Sequence, residues 1–226
     1  DVRPSDAGLI HLKNYFEQLS DLHGKVDLVA AWPPCQGFSM AGKRVKDDVR
    51  NQLVFSYIKF IKLVQPKMVL FENVKGFTYA FNKKKEGVEP YSQIVINALE
   101  GLGYAVKPHV IDFSEYGVPQ RRKRFILVGV KEGLCSPDKF EQLLKENRDA
   151  FLAERGLSTT VTLQEAISDL LRSNGELPTP DRKGFNSGKY GKRKLTAYEK
   201  LLRGDYPKTH EVPNSHSFAH HTSDKQ

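Results

Sequence analysis

Along its first 130 residues the chain alternates short apolar runs with stretches whose apolar residues recur every three or four positions. Val26–Ala31 and Met68–Phe71 are too continuously apolar for half-exposed strands and read as buried parallel ones. Tyr104–Ile111 and Phe125–Val130 read as two more strands, split by the turn Tyr116-Gly117-Val118-Pro119. Asp6–Leu22, Gln52–Gln65 and Ser92–Leu102 have helical spacing. Ser5 or Asp6 can cap the first, Pro66 stops the second, and Gly101 and Gly103 close the third. This order predicts an α/β fold with an open, mostly parallel, Rossmann-like sheet. Ligands of such sheets sit beyond the carboxyl ends of the strands.

The texture changes after residue 131. Pro137–Arg155 reads as a charged amphipathic helix and Thr162–Leu171 as a shorter one. From Ser173 onward Gly, Pro, Lys and Asn dominate with little periodicity, as in a linker or the opening of another domain. The expected division is a partial catalytic domain over 1–135, a helical extension over 136–175 and a third region over 176–226. Because Asp1 is not a methionine and the chain opens just before a helix, we expect an internal piece of a longer protein.

Three clusters of reactive residues fall where this pattern ends its strands. Cys35 follows Pro33 and Pro34, which fix the backbone and end strand pairing, and precedes a glycine-bearing loop. A thiol so placed is exposed and becomes a nucleophile once a base or cation favours its thiolate; taken alone, such a cysteine is more often a small buried hydrophobe. Glu72 follows an apolar run, so its carboxylate is expected where the sheet stops. A carboxylate in a partly desolvated cleft can accept and donate protons, whereas an ordinary strand-end glutamate only forms an ion pair. Asn73 can orient the loop beyond it or cap a turn. In Gln120-Arg121-Arg122-Lys123-Arg124, an extended backbone puts Arg122 and Arg124 on one side and Lys123 on the other. Paired guanidiniums bind carboxylate, carbonyl or phosphate groups; most basic runs are merely solvated surface, but this one is pinned between a tight turn and a buried strand.

The bulk numbers leave that picture standing. The 226 residues can bury a sizeable core, with 39% hydrophobic and 27% charged residues. Thirty-five Lys and Arg against 27 Asp and Glu give +8 and a pI near 9.3, a balance that favours a polyanionic partner. No apolar stretch approaches the roughly 18 residues of a membrane helix, and no signal peptide is visible. Two cysteines, Cys35 and Cys135, are too few for a disulfide framework and fit a reducing, cytoplasmic setting. Cys135, in a Gly-Leu-Cys-Ser-Pro loop, reads as incidental. His210, His216, His220 and His221 are irregularly spaced with no cysteine nearby, so no metal site is assigned.

Pro34-Cys35-Gln36, Asp48-Val49-Arg50, Glu72-Asn73-Val74 and the run from Tyr116 to Arg124 together resemble the ordered motifs of the DNA (cytosine-5) methyltransferases. The resemblance is strong over residues 1–130 and fainter through Thr162–Leu171. It implies the sheet of S-adenosylmethionine-dependent methyltransferases, double-stranded DNA as partner, and a cytoplasmic, nucleoid-associated enzyme such as a bacterial modification methylase. It also implies a mechanism. The Cys35 thiolate adds to cytosine C6, C5 then attacks the methyl group of S-adenosylmethionine, and loss of the C5 proton expels Cys35. Glu72 contacts the ring near N3 and the exocyclic amine, Arg124 holds O2 and orients Glu72, and Arg122 supports the same site. The base must be flipped from the duplex. Pro34, Gln36, Asn73 and Gln120 are the implied substrate contacts, with Ser39, Lys43 and Arg44 near the DNA backbone in a closing loop.

The same resemblance assigns Asp1, Pro33 and Leu53 to the cofactor site. It also marks departures: the family's glycine-rich cofactor motif has no counterpart here, nor has its target-recognition domain, unless that begins near Pro207. We therefore expect the 226-residue piece to be inactive alone and to need the remainder of its protein or a complementary subunit. Two other readings stand beside this one, a catalytically silent DNA-binding homologue and an RNA cytosine-5 methyltransferase. Gly37-Phe38-Ser39 and the basic final motif resemble the DNA branch.

Overall fold

The computed structural model describes residues 19–38, 49–81, 89–179, 183–204 and 212–213. They form two compact units, one within residues 1–112 and 122–146 and the other within 113–121 and 147–226.

The first unit contains the sheet. Strand β1 is Leu28–Ala31, helix α1 Leu53–Val64, β2 Met68–Val74, α2 Tyr91–Glu100, β3 Tyr104–Asp112 and β4 Lys123–Lys131. The sheet order is β1-β2-β4-β3. β1 and β2 pair in parallel, while β4 is antiparallel to both β2 and β3. Three strands thus run one way and only β4 is reversed, so the expected open, mostly parallel α/β sheet is present.

The sequence explains the element ends. Helix α1 buries Val54, Tyr57, Ile61 and Val64, one stripe at helical spacing. It stops where Gln65 turns left-handed, at φ 45°, ahead of Pro66. Helix α2 enters from Pro90 and buries Ser92, Val95 and Leu99. These stripes join Val69 and Phe71 of β2 and Phe125 and Leu127 of β4 in one core. Within it the Tyr104 hydroxyl donates to the Pro66 carbonyl at 2.6 Å. Burial pushes the Tyr104 hydroxyl up to about 12 and drives Tyr57 above the usual phenol range.

The strand ends differ from expectation in one consequential way. β2 does not stop at Phe71: Glu72, Asn73 and Val74 remain in the ladder, paired with Ile126, Phe125 and Arg124. Glu72 is therefore an in-sheet residue, and β4 begins two residues early, at Lys123. Antiparallel pairing extends both strands where the apolar pattern has already ended. Of the expected first helix, most lies outside the described residues; Ser20–Leu22 forms a single 3-10 turn.

Helix α3, Phe140–Glu154, follows a 3-10 turn over Pro137–Lys139 that Ser136 caps. The second unit then adds α4, Leu163–Ile167, shorter than the expected helix because the chain tightens to 3-10 over Ser168–Leu170. The stretch after Ser173 is not featureless. It holds a hairpin of β5, Glu176–Pro178, and β6, Asn186–Gly188, and helix α5, Ala197–Arg203.

Two buried carboxylates organise this unit. Glu199 is 1% exposed and accepts hydrogen bonds from the backbone N–H of Thr196 (2.9 Å) and of Asp169 (3.1 Å), while Arg193 pairs with it. Asp169 accepts from Nε of Arg203 at 3.1 Å. Burial alone raises the Glu199 carboxyl, but the Thr196 and Asp169 N–H groups and Arg193 outweigh it and hold the group below the usual carboxylate range. With the folded value below the unfolded one, this stabilisation is complete above the ordinary value of 4.5 and drains as pH falls through the folded value. Glu199→Gln is expected to cost about 3 kcal/mol at neutral pH, with the gap to the native chain closing on acidification. Urea unfolding from about pH 7 down to about pH 2, through and below the ordinary carboxylate value, reads this; a gap independent of pH over that range would contradict it.

Candidate active site

The site grows from the register of β1 and β2. Ala31 ends β1 opposite Phe71, and Trp32-Pro33-Pro34 carries the chain out of the sheet toward Cys35. Asn73, 1% exposed, holds this segment: its Nδ2 donates to the Pro33 carbonyl at 3.3 Å, and its Oδ1 accepts from the Val74 N–H at 2.9 Å. The loop that bears Cys35 is thereby moored to β2 at the residue after Glu72. Cys35 is a free thiol, half-buried.

Beyond Cys35 the chain is fixed again. The Phe38 N–H donates to the Cys35 carbonyl at 3.0 Å, closing a turn. The Phe38 ring is buried against Phe77, Phe81 and Tyr91, with centroids 4.8, 5.7 and 4.9 Å away. Gly37 has no room for a side chain, since a Cβ there would collide with the buried carboxamide of Asn51. The nucleophile candidate thus sits between two anchors, one polar and one aromatic.

On the sheet face away from Phe71, Glu72 lies opposite Ile126 and Val74 opposite Arg124. That register makes Glu72 and Arg124 diagonal neighbours on one face, and Arg124 Nε meets Glu72 Oε1 at 2.8 Å. Their side chains are 15% and 22% exposed, so the pair is largely removed from bulk water. Arg124 Nη1 also donates to the Lys123 carbonyl at 3.0 Å. Lys123 points the other way and pairs with Asp112 at 3.7 Å. Arg122 precedes the strand with its side chain exposed, while its backbone N–H donates to Asp112 Oδ1 at 3.3 Å.

The structure therefore joins Cys35, Asn73, Glu72 and Arg124 through the ends of β1, β2 and β4, with Arg122 two residues before Arg124. Pro34 and Gln36 are exposed beside Cys35; Pro33 and Leu53 are half-buried. Gln120 belongs to the second unit, its N–H bonded to the Val118 carbonyl at 2.8 Å. Asp1, Ser39, Lys43, Arg44 and the four C-terminal histidines lie outside the described residues. Two supports were not legible as such: Phe38, signalled only by an aromatic after the glycine, and Asn51, which nothing in the sequence ties to Gly37.

The profile of the C-5 cytosine-specific DNA methylase family matches residues 10–223. The chain belongs to this family. The Type II methyltransferase M.AgeI of Thalassovita gelatinovora is 32% identical over 220 residues, covering 93% of this chain and 47% of the relative. M1.HphI of Haemophilus parahaemolyticus is 42% identical over 114 residues, covering 49% of this chain and 29% of the relative. A solved DNA modification methyltransferase from an E. coli prophage is 28% identical, covering 77% of this chain and 43% of that one, with a TM-score of 0.47. This C-5 cytosine methylase chain spans less than half the length of these relatives. Among its described residues no helix is long and apolar enough to cross a membrane.

The crowding at Gly37 yields a direct test of how the methylase holds its thiol loop. Gly37→Ala should cost about 2 kcal/mol by overpacking, and Asn51→Ala in the same chain should recover at least half of it. Chemical unfolding of the two single variants and the double measures the coupling; strictly additive losses would show that the two residues do not meet.

Proposed function

We propose that this chain carries the catalytic core of an enzyme that moves a methyl group from S-adenosylmethionine to C5 of cytosine in duplex DNA, with Cys35 as covalent nucleophile. The observation that carries the reading is the Glu72–Arg124 pair at 2.8 Å, on the strand whose next residue moors the Cys35 loop. On this reading the core lies within residues 1–135, followed by a helical extension over 136–175 and a linker or the start of the target-reading region over 176–226. The chain acts together with the rest of its protein or a complementary subunit, and the 226 residues alone are expected to be inactive.

Each side chain has a task set by chemistry. Cytosine C5 is weakly nucleophilic until a thiolate adds to C6. As the Cys35 sulfur bonds C6, the C5–C6 π electrons shift onto C5, and negative charge builds toward N3 and O2. Glu72 passes a proton to N3 as charge builds there and accepts from the exocyclic amine, and the Arg124 guanidinium meets O2, so charge develops against groups already aligned. Arg124 also fixes the Glu72 rotamer, which removes a reorganisation step. When bound, the donor would supply an electrophilic methyl group to C5 and leave as S-adenosylhomocysteine. Loss of the C5 proton to water and return of the N3 proton to Glu72 then restore the ring as the carbon–sulfur bond breaks and the thiolate is freed. The reacting atoms are inaccessible in a stacked duplex, so the base enters extrahelically.

The described residues suit the donor as far as they go. Pro33 and Leu53 offer half-buried apolar surface, Pro33 at the carboxyl end of β1, where open α/β sheets take ligands. Asp1 is proposed for the adenine side. Ser39, Lys43 and Arg44 are proposed for the DNA backbone, and Pro34, Gln36 and Gln120 for the neighbourhood of the base.

Fluorine at C5 blocks the elimination step, so 5-fluorocytosine should trap the intermediate. The protein carrying this chain, given a 5-fluorocytosine duplex and S-adenosylmethionine, should yield a denaturant-resistant adduct that Cys35→Ser abolishes. No adduct despite salt-sensitive DNA binding would instead mark a binding-only homologue, and trapping on RNA alone would move the substrate to RNA. Arg124→Lys, which keeps the charge but loses the fixed fork, should slow methyl transfer roughly a hundredfold; an unchanged rate would remove Arg124 from the reaction.

A further inference from the structure

Trp32 is the only tryptophan of the chain and is 64% exposed. Single exposed apolar residues are common on protein surfaces and need no explanation. Here two further observations give the exposure a direction. Proline favours an extended residue before it, and Trp32 precedes Pro33, whose carbonyl is tied to Asn73 at 3.3 Å; Ala31, on its other side, is paired in the sheet. The backbone is therefore anchored on both sides of the residue that carries the indole.

The face is set by alternation. Ala31 packs against the core, as does its partner Phe71. One step further along both strands are Trp32 and Glu72, and successive extended residues point to opposite faces. Continued one residue past Ala31, where β1 ends, this alternation assigns Trp32 to the face on which Glu72 meets Arg124. A large, flat, apolar surface held beside a carboxylate–guanidinium pair complements a planar heterocycle with polar edges.

We infer that Trp32 is a stacking wall for the extrahelical cytosine, holding the ring while Glu72 and Arg124 take its polar edge. This rests on the function proposed above. Stacking a base on an aromatic side chain replaces stacking lost from the duplex and lowers the penalty of extrusion. The indole needs no charge and moves no proton, so it acts on base capture and not on bond making.

The test uses the protein carrying this chain, S-adenosylmethionine, and a random-sequence duplex made with 5-fluorocytosine in place of cytosine. Trp32→Ala should slow adduct formation roughly tenfold, the usual loss of one stacked base, while Trp32→Phe stays close to the native rate. Trp32→Leu keeps apolar bulk without a flat ring and should be slow like the alanine variant. Affinity for S-adenosylhomocysteine should be unchanged in all three. Native trapping rates in Trp32→Ala or Trp32→Leu would overturn the stacking role, and so would a loss of S-adenosylhomocysteine affinity that matches the loss of trapping. Absence of any adduct with the native protein is a different result, for it removes the proposed function itself and this role with it.

Discussion

The site depends on the register of one strand, β2. It is flanked by a parallel neighbour, β1, and an antiparallel one, β4. The first pairing sends the Cys35 loop out beside Asn73, and the second sets Arg124 diagonally across from Glu72. A slip of one residue against β4 would turn Glu72 toward the aromatic core and Asn73 away from Pro33, because side chains alternate with a period of two. The buried Val69 and Phe71 forbid it, since the same slip would expose both. Packing of an ordinary apolar face thus fixes the position of the polar groups on the other.

The Glu72–Arg124 pair is hard to account for as a device for stability. An ion pair removed from water loses hydration that its mutual attraction barely repays, and apolar residues often do as well. The second unit shows what a structural carboxylate looks like here: Glu199 is almost wholly enclosed, with two backbone donors and an arginine around it. Glu72 is more open and meets its arginine from a strand that also secures a thiol loop. Held geometry with residual access suits a group that must receive a ligand, and it limits reorganisation when charge develops.

Much of the first unit was legible because its strands and helices have the periods that burial imposes. Val54, Tyr57, Ile61 and Val64 declare the inner stripe of α1, and Pro66 declares its end. The last three residues of β2 were not legible as strand, since Glu72 and Asn73 break the apolar run and are kept extended by pairing with β4. The motif residues pointed to one cleft, yet what aligns them is distant in sequence: Asn73 to Pro33, Gly37 to Asn51, Phe38 to Phe77. The hairpin and α5 of the second unit stayed hidden for a related reason. Their strands are three residues long and include Pro178 and Gly188, and their stability comes from contacts such as Asp169 with Arg203.

The chain divides its described cations by depth. The described ion pairs that lie deepest, at Glu72, Asp169 and Glu199, are all made by arginine, whose planar fork loses less on desolvation than an ammonium does. Lysine pairs, such as Lys67 with Asp27 and Lys107 with Asp138, lie at the surface, where they contribute little to stability. Between Lys183 and Lys200 the only carboxylate is Glu199, already engaged by Arg193, while Lys183, Lys192, Lys194 and Lys200 are exposed. In this stretch of the described residues the lysines are not consumed in holding the fold together. Those lysines face outward, where their charge would suit the DNA partner proposed above, an attraction that weakens steeply as salt is added.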